Sequence, residues 1–167
     1  MAATGDAAGR ADRLLGVDLG ERRIGLAVGD AASRTAAPLA TIRRSRTVEE
    51  DALLLARLAA EQHAGALVVG LPLNMDGTEG LQATLTREWA AAVAAATGLP
   101  VRFRDERLSS ERAERRMGRG GRGRSGGPPT KAQREAQRAR IDREAAALIL
   151  QDELDAGNAP GPDWSGR

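Results

Sequence analysis

Three places in this 167-residue chain hold carboxylates where the burial pattern alone would not put them. Asp18 interrupts the apolar run LLGVDLG, the pair Asp105–Glu106 ends the stretch VRFRDE, and Asp142 shares a helical stripe with Ala145, Ala146 and Ile149. Burying a lone carboxylate costs on the order of several kcal/mol unless it is paired or meets a cation. Acids brought together repel and take up protons, and a hard divalent cation removes that penalty. Oxygen donors with open positions suit Mg2+ or Mn2+. Two such ions roughly 3.5–4 Å apart activate a water and stabilise the leaving oxygen in phosphodiester cleavage.

Side chains alternate along a strand, so Asp105 and Glu106 point to opposite faces. Asp105 shares its face with Val101 and Phe103, and Glu106 shares one with Arg102 and Arg104. The sequence leaves both open, with Glu106 free to reach a metal where the strand ends. Each acid also has an ordinary reading: Asp18 opens a turn, the pair meets Arg104 or Arg107 at the surface, and Asp142 decorates a helix.

Elements must exist to bring these residues together. Leu14 to Leu19 and Arg22 to Val28 read as a hairpin around Gly20–Glu21, and Ala36 to Ile42 adds a third strand. Leu54, Leu55 and Leu58 mark a helix from Thr47 to Gln62, opened by a Thr47/Glu50 capping box. Ala66 to Val69 is a short apolar run of the kind covered on both faces. After the loop LPLNMDGTEG, an Ala-rich helix is expected from Thr78 to Thr97, stopped by Gly98 and Pro100. Val101 to Asp105 reads as a strand and Ser109 to Met117 as a helix. Residues 118 to 130, GRGGRGRSGGPPT, read as a basic loop before a last helix from Lys131 to Asp155. A hairpin followed by alternating strands and helices predicts an α/β domain with a mixed sheet over residues 14–155, between disordered tails at 1–13 and 156–167.

Composition narrows the function classes. There is no Cys, which excludes disulfides and thiol chemistry and fits a reducing cytoplasm. No stretch of about eighteen uncharged apolar residues suggests a membrane span, and the first residues lack a leader's apolar core. Net charge is only +2, yet residues 102 to 143 carry fourteen Arg or Lys against six Asp or Glu. That block is the footprint of a protein that meets a polyanion, or else of a solvated helical surface. Arg22 and Arg23 stand in the hairpin beside Asp18, able to hold a phosphate or to pair with Glu21. Asn74, Asp76 and Gly77 precede a helix whose first N–H groups suit a phosphate, or else form a turn with Thr78 as N-cap. The single His63 closes a helix and has no ligand partner at motif spacing.

The segments GVDLGERRIGLAVGD, VVGLPLNMDGTEG, RDERLSSERAERRM and IDREAAALILQDELD, in this order, closely resemble the YqgF/RuvX family of Holliday-junction-resolvase-like proteins, also described as pre-16S rRNA nucleases. The resemblance implies a ribonuclease H-like fold: a mixed five-stranded sheet flanked by helices. It implies metal-dependent endonuclease activity with a role at the 5′ end of 16S rRNA, the catalytic acids falling at Asp18, Asp105 or Glu106, and Asp142.

The expectation that combines both lines is a cytoplasmic nuclease, monomer or homodimer, acting on structured RNA (pre-16S rRNA) or branched DNA. Asp18, Glu106 and Asp142 are its expected Mg2+ or Mn2+ ligands, and Arg22, Arg23, Asn74 and Arg107 its substrate contacts. Two rivals remain. DLGERRIG also resembles the phosphate-contacting hairpin of actin-like ATP enzymes, though the chain is too short for the second lobe that would close over ATP and shows no P-loop sequence. A non-catalytic RNA-binding factor in transcription or ribosome assembly would satisfy the basic segment alone.

Overall fold

The computed structural model describes residues 12–107, 109–117 and 127–157. Most of the basic loop and most of both expected tails therefore lie outside the described residues. Within them the chain forms β1 (Arg13–Leu19), β2 (Arg23–Asp30), β3 (Thr35–Arg43), α1 (Val48–Glu61), β4 (Ala66–Leu71), α2 (Leu81–Thr97), β5 (Val101–Asp105), α3 (Ser109–Met117) and α4 (Lys131–Ala156). The sheet order is β3-β2-β1-β4-β5, with β2 antiparallel to its neighbours and β1, β4 and β5 parallel. This is the mixed five-stranded sheet flanked by helices that the ribonuclease H-like expectation requires.

Alternation sorts the strands onto two faces. Leu15, Val17, Ile24, Leu26, Leu67 and Val69 pack against α1 and α2 through Leu55, Trp89 and Val93. Leu14, Ala27, Ala66 and Val68 face α4 and meet Ala146, Ile149 and Leu150. Every residue of β4 is buried, as its unbroken apolar run predicts. Helix α3 docks on α4 through Ala113, Ala145 and Leu148.

Helix α4 lies unusually close to the sheet because β1 and β2 present glycine to it. A Cβ at Gly25 would stand 2.0 Å from the Asp142 carbonyl oxygen, and one at Gly16 would stand 2.9 Å from Leu150 Cβ. Under the opposite helices, Asp51 is fully buried and accepts hydrogen bonds from Arg44 Nε (2.7 Å), the Ser45 N–H (2.7 Å) and Trp89 Nε1 (3.1 Å). Burial opposes its charge, but these bonds outweigh burial and hold the carboxyl below its usual range.

Two helix starts differ from expectation. The long Ala-rich helix begins at Leu81 rather than Thr78, with Gly80 as N-cap and no side-chain cap bond. Thr78 instead closes the preceding loop, where its N–H and hydroxyl both donate to Asp76 Oδ1. At α1, Thr47 accepts from the Glu50 N–H as a cap should, but Glu50 Oε2 accepts from the Arg46 N–H, so only half of the box forms. His63 takes the left-handed conformation that ends α1, with its N–H donating to the Ala60 carbonyl and that of Ala64 to Ala59. Among the described residues no helix is long and apolar enough to cross a membrane.

Candidate active site

The parallel strands β1, β4 and β5 end on the same edge of the sheet, and the acids gather there. Asp18 follows Leu14 and Gly16 on the α4 face of β1, and it pairs in register with Gly25 of β2. On β5, Arg102 and Arg104 lie on that same face, where both bind Glu153 of α4. Two residues beyond Arg104, Glu106 turns to the same side, and its N–H donates to the Leu71 carbonyl (3.2 Å). Gly70 of β4 makes the room: a Cβ there would stand 2.5 Å from Glu106 Oε2.

Glu106, not Asp105, stands beside Asp18, and the two carboxyl groups share a hydrogen bond. Burial pushes Glu106 up to about 8, with the Asp18 charge adding to it. Burial likewise raises Asp18, to about 6, with the bond from Glu106 opposing and the Asp142 charge reinforcing the rise. The pair thus shares a proton near neutral pH. Asp105 points to the opposite face. Burial works against its charge, but its bonds from Arg107 (Nε 2.8 Å, N–H 2.9 Å) prevail and keep the carboxyl below its usual range.

Asp142 reaches the site from α4, set directly over Gly25. Its Oδ2 accepts from Arg23 Nε at 2.5 Å, and Arg23 shares the α4 face of β2 with Gly25. Among the described residues no group of three or more His, Cys, Asp or Glu side chains is arranged to hold a metal ion as it stands. The structure therefore brings Asp18 and Glu106 into contact, keeps Asp142 within electrostatic reach of Asp18, and pairs Asp142 with an arginine.

The expected substrate contacts divide. Arg22 is exposed on the hairpin bend, and Arg23 is half-buried beside Asp142. Arg107 is drawn into the scaffold: it clasps Asp105 and donates through Nη1 to the Met75 carbonyl (3.2 Å). Asn74 is likewise a loop residue, donating through Nδ2 to Thr78 Oγ1 (2.9 Å) and leaning on Gly80. The Arg23–Asp142 pair was not anticipated from sequence. Its only advance signal was that β2 alternation places Arg23 on the face of Gly25, Ala27 and Gly29, small residues that invite a helix.

The profile of the RuvX family, described as Holliday junction resolvase, matches residues 12–156. A protein of Anaeromyxobacter sp. (strain Fw109-5) named "Putative pre-16S rRNA nuclease" is 48% identical over 147 residues, covering 88% of this chain and 99% of that one. A protein of Chloroflexus aggregans with the same name is 42% identical over 147 residues, covering 88% and 96%. Among solved structures, T. thermophilus RuvC in complex with a Holliday junction substrate aligns with 86% of this chain and 94% of its own, at 19% identity and a TM-score of 0.47.

Proposed function

Because the chain belongs to the RuvX family, we propose that it is a metal-dependent endonuclease of the cytoplasm that cleaves structured RNA, acting on the 5′ end of a 16S ribosomal RNA precursor. The names carried by its relatives support the substrate. The observation that carries the chemistry is the half-buried Asp18–Glu106 pair, with Asp142 close enough to raise Asp18. Two carboxyl groups pressed together at the cost of holding a proton are a donor set that a hard dication relieves.

Asp18 and Glu106 would hold Mg2+ or Mn2+, joined by Asp142 once its carboxylate parts from Arg23. Bound there, two such ions would supply a nucleophile at neutral pH and positive charge for the departing oxygen. Everything else falls to the chain itself. The pair must release its proton before both carboxylates are charged, so metal binding should tighten as pH rises through the range of about 6 to about 8. Arg23, freed from Asp142, is placed to take a phosphate oxygen, and Arg22 stands exposed next to it for the neighbouring phosphate. Asp105, Arg107 and Asn74 keep the β4–α2 loop and the end of β5 in position.

A second reading, an RNA-binding factor without catalysis, draws support from the Arg23–Asp142 pair, which leaves the third acid engaged. The test compares the wild type with Asp18→Asn on precursor ribosomal RNA in manganese. Cleavage lost with binding retained supports the nuclease. Equal cleavage by both proteins refutes it, and a wild type that binds but never cuts favours the second reading.

A further inference from the structure

Helix α4 is 26 residues long, and the sheet does not cover its start. Among the described residues its first hydrogen bond to a strand is at Ala139, whose carbonyl accepts from Thr41 Oγ1, and Asp142 follows over Gly25. Residues 131–136 and 138 are exposed. The eight residues before Ala139 therefore project beyond the sheet for roughly 12 Å at 1.5 Å per residue. They leave at the edge that carries Asp18 and Glu106, because moving from Leu150 over Gly16 to Asp142 over Gly25 advances toward that edge.

This overhang has a cationic face. Lys131, Arg134 and Arg138 precede Asp142 by eleven, eight and four residues and so lie on its side of the helix. Among the described residues none of the three is in an ion pair, and Arg134 donates instead to the Pro129 carbonyl (3.0 Å). Further along the same helix, cations that dock on it are neutralised: Arg112 meets Asp152 and Arg116 meets Glu144. Among the described residues the one acid beside the stripe is the exposed Glu135.

Local physics does not favour this arrangement. Cations in a first helical turn oppose the macrodipole. The protein follows that rule at α1, whose first turn holds Glu49, Glu50 and Asp51, and disregards it at α4, which has no acid in its first turn. Helix formation at that end rests instead on the reciprocal Thr130–Gln133 capping box. Lys131 and Arg134 thus stand where positive charge weakens the helix, and with Arg138 one turn further they line the side that leads into the acidic site.

We propose that the projecting start of α4 is a backbone track for the RNA strand to be cut, with Lys131, Arg134 and Arg138 holding phosphates along it and delivering a later one to Asp142, Asp18 and Glu106. From Lys131 to Asp142 the track spans about 16 Å along the axis, or roughly five steps at 3.4 Å per nucleotide of one strand. The track rests on the nuclease reading for its destination, but its binding is measurable without cleavage. These are positioning residues, and they touch no reacting atom.

The experiment measures anisotropy of a fluorescein-labelled RNA hairpin over a salt series, using Asp18→Asn protein so that nothing is cut. Adding Lys131→Gln with Arg138→Gln is compared with adding Arg13→Gln with Arg57→Gln, two exposed cations elsewhere on the molecule that change net charge equally. The track pair is expected to weaken binding about 10-fold and to lower the salt slope by about 1.4–1.8, whereas the control pair leaves both near the parent. In the otherwise wild-type protein, the track pair should raise KM and leave kcat unchanged. Equal weakening by the two pairs, or none by either, overturns the track. Binding of a labelled four-way DNA junction in preference to the hairpin, lost equally with the track pair, overturns RNA as its occupant. Failure of the nuclease reading would show separately, as wild-type binding without cleavage.

Discussion

Replacing Gly25 by alanine adds one methyl group between β2 and α4, and its cost follows from the geometry. The new Cβ would stand 2.0 Å from the Asp142 carbonyl oxygen and 2.4 Å from the carbonyl carbon, both fixed in a helix backbone. Ordinary contact begins near 3.4 Å, so α4 must lift by roughly 1.4 Å at this point. Lifting it loosens Ala146, Ile149 and Leu150, which are fully buried against the sheet. Overpacking of this kind costs about 1–3 kcal/mol. It also moves Asp142 away from Arg23 and Asp18, and a misplacement of about 1 Å at a reacting centre costs about 100-fold in rate. Urea unfolding reads the first effect and cleavage of precursor RNA reads the second. Gly98→Ala is the companion: its φ is +68° with nothing within 4 Å, so only backbone strain of about 1–2 kcal/mol is expected, with activity intact. Wild-type stability and cleavage in Gly25→Ala would refute the account of how α4 carries its acid.

Two other expectations concern charge. In the folded protein Glu106 keeps its proton up to about 8, whereas the unfolded chain releases it near 4.5; the folded state binds more protons in between, so metal-free stability falls as pH rises across that window. Glu106→Gln removes this dependence, and its urea midpoint should gain on the wild type between pH 5 and pH 8; a constant difference would mean that Glu106 titrates normally. Arg23→Gln frees Asp142, and is expected to tighten Mn2+ binding several-fold by calorimetry in the absence of RNA while weakening RNA binding. Unchanged Mn2+ affinity would show that the arginine does not compete for the third acid.

Much of this molecule is legible in one dimension because its signals are local. Unbroken burial of β4, the hairpin at Gly20 and the alternation on β5 are consequences of a two-residue side-chain period, which a sequence displays directly. The start of α2 differs from the expected Thr78 because that residue serves equally well as a cap or as a loop hydroxyl, and Asp76 captures it for the loop. The bonds of Asn74 to Thr78 and of Arg107 to Met75 likewise join partners the sequence does not show to be adjacent.

The sequence alone determined which acids stand out, since Asp18 and Asp142 each break an apolar pattern read from their own neighbours. It also determined that Asp105 and Glu106 face opposite ways. Which of the two meets Asp18 was decided only in three dimensions, by the parallel pairing that sets β4 between β1 and β5 and by a glycine at position 70 that leaves space for one carboxyl group. The pairing of Arg23 with Asp142 belongs to that same level. It depends on how closely a helix more than a hundred residues later in the chain lies over Gly25, a distance set by the packing of two surfaces and by no periodicity within either.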